Sequence, residues 1–148
     1  MKKLFLYISL SLFCQHFTMA QQVLTVVERI PQTPITVTSP GTTTNVFPGS
    51  LITCTWSCTN DIRFGSRVKV LLVTQAQRTE LLAKMGRMGN IVPVDSISRV
   101  LFIQTNTDAY AVCYWDVPLT LAQGSYAVVV SHGSGKLGVG PVFTVNAI

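Results

Sequence analysis

The chain is 148 residues long, 48% hydrophobic and only 11% charged, with a formal net charge of +5 and four cysteines. That length is one domain's worth and buries a core without needing cross-links. The charge is too thinly spread for a dedicated nucleic-acid reader, and there is no internal repeat and no low-complexity tract beyond Thr42-Thr43-Thr44.

The N-terminus carries the first signal. Lys2 and Lys3 open it, residues 4–13 form an apolar run, and Thr18-Met19-Ala20 ends in a small residue before Gln21-Gln22. This is the layout of a secretory signal peptide, and the run is too short to span a bilayer. Residues 1–20 are therefore predicted to be removed. The mature chain is predicted to be secreted, to have no transmembrane segment, and to meet an oxidising compartment. Cys14 follows Phe13 rather than the small residue that lipid attachment wants, so it reads as one more apolar residue of the leader. Processing leaves 128 residues with nine basic and six acidic side chains, a net +3. The stretch from Arg63 to Arg87 is the most basic, opposed only by Glu80. It reads as scattered solvated charge, with contact to an anionic surface as the alternative.

Residues 21–34 read as a flexible lead-in, because Pro31 and Pro34 interrupt any regular element. From Ile35 to the end the pattern changes to short β-branched runs between Gly, Pro, Asn and Ser clusters, which argues an all-β sandwich or barrel. The first run is 35–38, stopped by Ser39-Pro40-Gly41. Residues 50–58 alternate cleanly. Ile52, Cys54, Trp56 and Cys58 share one face, Leu51, Thr53, Thr55 and Ser57 the other, and the Trp56 face is the buried one. In 67–73, Val68, Val70 and Leu72 point inward and Arg67 and Lys69 outward. Residues 79–85 have helix formers and a cap at Thr79, yet the β surroundings favour a strand there. Residues 86–90 read as a flexible turn. Four more strands are predicted at 100–104, 111–117, 126–131 and 142–145. Seven or eight strands over 35–148 fit an immunoglobulin-like antiparallel sandwich.

Chemistry finds little material, and the chain is read as a non-enzyme with no cofactor and no metal. His132 is the one histidine after processing, in a glycine-flanked loop, and reads as solvated. No carboxylate pair sits in a suggestive setting, and Asp116 has outward parity. Cys54 and Cys58 lack the second cluster that would complete a zinc tetrad. No Asn has Ser or Thr two residues on, so there is no N-glycosylation site.

Three cysteines remain after processing. Cys54 and Cys113 each lie two residues from a tryptophan and share its inward parity. The expected bridge joins them across opposite sheets beside Trp56 and Trp115, which are expected to face one another. Cys58 has the parity of Cys54 and is the alternative partner for Cys113; three free thiols are the third case. A Cys54–Cys58 bridge is excluded in a straight strand, since four residues span about 13 Å against the ~6 Å between Cα atoms that a disulfide prefers. Trp56, Trp115, Tyr126 and Phe143 are the predicted structural core, Pro118 ends a strand, and Gly124 permits a turn.

Three ordered pieces carry a family resemblance. The first runs from Ile35-Thr-Val-Thr-Ser-Pro40 through Pro48-Gly49 to Ile52-Thr-Cys-Thr-Trp56. The second is Trp115-Asp-Val-Pro118 with Leu121 and Gly124-Ser-Tyr126, and the third is Gly140-Pro-Val-Phe143-Thr-Val145. Together they resemble the Ig-like N-terminal domain of fungal cell-wall proteins of the Kre9/Knh1 type. The stretch 74–97 is longer than in such domains, and the Ser/Thr-rich tail that often follows is missing. The resemblance implies an immunoglobulin-like fold and an extracellular setting, and no catalytic residues. The function expected is a secreted module that binds or organises wall or matrix polysaccharide. The alternative is a module that binds another protein through an exposed sheet edge. Aromatics exposed in a row would favour sugar, and a bare hydrophobic edge a protein.

Overall fold

A computed structural model describes residues 35–59, 67–88, 91–107 and 111–148. The predicted leader at 1–20, the predicted lead-in at 21–34 and Arg63 lie outside the described residues. From Ile35 onward the chain is an all-β, immunoglobulin-like sandwich with one helix laid on its side.

Among the described residues, nine strands follow in order: β1 (Ile35–Ser39), β2 (Asn45–Val46), β3 (Leu51–Cys58), β4 (Arg67–Thr74), β5 (Leu101–Thr107), β6 (Val112–Asp116), β7 (Gly124–His132), β8 (Leu137–Val139) and β9 (Phe143–Val145). One sheet has the order β1-β3-β6, and the other has β2-β9-β7-β4-β5 with β8 also paired to β7. Two of these strands were not predicted. β2 has only two residues, too few to show a period. β8 and β9 pair with successive parts of β7, so they act as one broken strand around Gly140-Pro141.

The core follows from side-chain parity. Ile35, Val37, Cys54, Trp56, Val68, Val70, Leu72, Cys113, Trp115, Tyr126, Val128, Val130, Phe143 and Val145 fill the space between the sheets. Tyr126 adds a backbone tie, because its hydroxyl donates to the carbonyl of Ala122 at 2.8 Å. A tyrosine near the start of this strand, bonded a few residues upstream, is a hallmark of immunoglobulin-like corners.

The segment predicted as a strand at 79–85 is instead helix α1 (Gln75–Met88). The reason lies upstream. Thr74 and Gln77 form a capping box: the Thr74 hydroxyl accepts the Gln77 N–H at 3.1 Å, and the Gln77 side chain accepts the Thr74 N–H at 2.9 Å. The helix then runs through the segment expected to turn, past Gly86 to Met88. Leu81 and Met85, one turn apart, are the two residues it buries.

That helix gives the molecule a third layer. Leu71 and Val73 of β4 and Ala127 and Val129 of β7 are buried on the outer face of their sheet, under Leu81, Met85, Val92 and Ile97. The inward set Val68, Val70 and Leu72 is as predicted, and the outward apolar residues are explained by this cover. β4 and β7 are thus buried on both faces, which is why β4 ends in a continuous apolar run.

β1 crosses close over β8. A Cβ placed on Gly138 would lie 2.4 Å from the carbonyl oxygen of Ile35, so only glycine lets the two backbones approach.

Candidate functional site

The tryptophans and core cysteines require a correction. β3 and β6 are neighbours in one sheet, with Cys54 directly opposite Cys113 and Ile52 opposite Trp115. The expected pairing across opposite sheets is therefore wrong. Trp56 and Trp115 do not face one another; they lie along the same inner face of one sheet. Parity placed all four side chains inward but could not say which strands are neighbours. All three thiols are free here, with Cys54 and Cys113 buried and Cys58 exposed at the far end of β3, opposite Ile35. The hydrogen bond with Cys113, with burial adding to it, pushes the Cys54 thiol well above the ordinary thiol range. Burial alone raises Cys58.

The remaining reactive groups are scattered. His132 closes β7, and its Nδ1 accepts the Ser134 N–H at 3.1 Å. Among the described residues, no three His, Cys, Asp or Glu side chains could hold a metal ion. The basic stretch does not form one surface. Arg78 donates to the carbonyl of Gly140 at 2.8 Å and Lys84 to that of Ser96 at 3.2 Å, while Arg67 and Lys69 are on β4.

What stands out is the outer face of the β1-β3-β6 sheet. On the other sheet, α1 covers the outer face of β4 and β7; among the described residues no buried cluster lies on this one. Its rungs read Leu51 opposite Asp116, Thr53 opposite Tyr114, Thr55 opposite Val112, and Thr36 opposite Ser57. The Thr38 and Thr55 hydroxyls are bonded to each other at 2.7 Å, and the Ser39 hydroxyl donates to the Thr53 carbonyl at 2.8 Å. Tyr114 is 65% exposed and Leu51, its diagonal neighbour across the two strands, is 63% exposed. Beyond Leu51 the chain turns at Gly49 (φ 81°), against which Leu119 packs, itself 74% exposed.

This face has a definite chemistry. It is a lattice of hydroxyls around one aromatic side chain, Tyr114, and two aliphatic ones, Leu51 and Val112, with no Lys or Arg and with Asp116 as its one charge. The strand residues Leu51–Cys58 give it a length of roughly 26 Å. Tyr114 was missed in the sequence because parity sent it to solvent. The available signal was its position between Cys113 and Trp115, an outward aromatic where a polar residue would serve. Of the other exposed aromatics, Phe47 lies in the turn between β2 and β3 and Phe102 on β5 of the other sheet, so among the described residues the strands of this face carry no aromatic row.

No protein-family model matches the chain, and no curated protein matches it. Among solved structures it is similar to the fibronectin(III)-like modules of Clostridium thermocellum CbhA, with a TM-score of 0.42 and 15% identity over 77% of this chain. The chain spans 46% of the length of that one.

Proposed function

We propose that this protein is a secreted, non-catalytic module that binds a neutral, hydroxyl-rich extracellular polymer, a wall or matrix polysaccharide, on the open β1-β3-β6 face. The observation that carries the reading is the pairing of exposed Tyr114 with a bare lattice of Thr and Ser hydroxyls. An aromatic ring offers an apolar face to the C–H side of a sugar, while neighbouring hydroxyls exchange hydrogen bonds with its O–H groups. Absence of cationic side chains on the strands of that face disfavours an anionic polymer. The ordered pieces that resemble fungal wall proteins, and the leader-like first twenty residues, support the same setting.

The test is retention of the purified protein on insoluble neutral glucans and chitin. Tyr114→Ala should lower affinity at least tenfold without lowering thermal stability, because the ring is outside the core. Equal retention of wild type and Tyr114→Ala would refute the site.

One observation favours a protein partner instead. β5 is a seven-residue edge strand, paired on one side by β4, with Phe102 exposed along it and Val100 exposed just before it. An unpaired edge of that length is a template for an added strand. It is also broken: Gln104 pairs with Val70 and Phe102 with Leu71, so Ile103 is an extra residue that bulges the edge. That bulge blunts strand addition and places this reading second.

A further inference from the structure

We propose that Cys54 and Cys113 are a redox-convertible pair that closes into a disulfide within one sheet, stapling edge strand β6 to β3. The inference is independent of the polymer reading. The two residues are directly opposed on adjacent antiparallel strands, and both thiols are buried on the inner face. Backbone bonds from Trp56 N–H to Ala111 and from Val117 N–H to Ser50 fall on rungs two and four residues from this one, so it belongs to the hydrogen-bonded set. On such rungs Cα atoms lie about 5.5 Å apart, inside the roughly 4.4–6.8 Å range that a disulfide accepts. Cβ atoms of opposed residues lie about 4.5–5.5 Å apart and must close to about 3.8 Å. That is a small approach by an edge strand with one neighbour in its sheet.

The step balances with a disulfide as oxidant. A thiolate of the pair attacks one sulfur of an external disulfide, such as glutathione disulfide, and releases one external thiol. The second cysteine of the pair then displaces the other external thiol and closes the Sγ–Sγ bond. Two electrons and two protons pass from the protein to the oxidant. Because both thiols are buried, exchange needs β6 to lift from β3 or occurs before the sandwich closes. Cys58 is excluded by position: it is four residues further along β3, opposite Ile35, and exposed.

The experiment uses the purified protein, reduced and then refolded in a glutathione redox buffer. Remaining thiols are alkylated in denaturant and the protein is digested with chymotrypsin, whose cut after Trp56 separates Cys54 from Cys58. The expected result is a Cys54–Cys113 link with Cys58 alkylated, and a melting temperature about 10 °C above that of the reduced protein. Cys58→Ser should leave both results unchanged. A Cys58–Cys113 link, or alkylation of all three thiols, overturns the proposal.

Discussion

At the scale of single residues, tolerance is set by what each atom would displace. Gly138 has the Ile35 carbonyl oxygen where its Cβ would stand, at 2.4 Å. Backbone oxygen cannot rotate aside as a side chain can, so Gly138→Ala must push β1 off β8. We expect a loss of at least about 2 kcal/mol, measured by urea unfolding, in the range of severe single substitutions. A loss below half a kcal/mol would mean the strands are not in contact there. Tyr126→Phe tests a hydrogen bond with little change in volume. It leaves the Ala122 carbonyl without its donor, and about 1 kcal/mol should be lost in the same assay.

At the scale of elements, legibility depended on whether the signal was periodic or local. β3 was readable because eight residues alternate without interruption, and its inward set at Cys54 and Trp56 is the buried one. The β surroundings of helix α1 point to a strand at 79–85, and the helix signal at Thr79 falls short of its true start. The capping box lies five residues earlier, at Thr74 and Gln77, and the Thr79 hydroxyl only bonds back to the Gln75 carbonyl at 3.1 Å. The doubly apolar end of β4, Val70-Leu71-Leu72-Val73, was a further sign that something covers that sheet's outer face. Thr74→Ala should cost about 1 kcal/mol, and Gln77→Ala added to it should cost little more, since both act through one reciprocal pair. Additive losses in a double-mutant cycle would show that the box does not hold the helix start.

At the scale of the whole molecule, the two sheets are treated differently. The central strands β4 and β7 of the β2-β9-β7-β4-β5 sheet are buried on both sides, between the central core and α1. The β1-β3-β6 sheet has one face in the core and one face open. Its inner face carries the cysteine pair and both tryptophans; its outer face carries Tyr114 and the hydroxyls. Sequence alternation could assign each residue to a side, but strand adjacency is a property of the chain's path through space. That is why parity places Cys54 and Cys113 inward beside the tryptophans, as the structure has them, yet assigns to opposite sheets two strands that are neighbours in one. For the same reason the open face was invisible: Thr36, Thr53, Thr55 and Tyr114 come together only when β1, β3 and β6 pair.

The central claim is that this open face binds neutral polymer. The most direct measurement is a binding isotherm on insoluble neutral glucan for wild type, Tyr114→Ala, and Phe102→Ala on the β5 edge, each with its melting temperature. Wild type and Phe102→Ala should bind saturably, Tyr114→Ala should lose at least tenfold in affinity, and the melting temperatures should be unchanged. Binding that survives Tyr114→Ala but is lost with Phe102→Ala, or no retention of wild type on any neutral polymer, would contradict it.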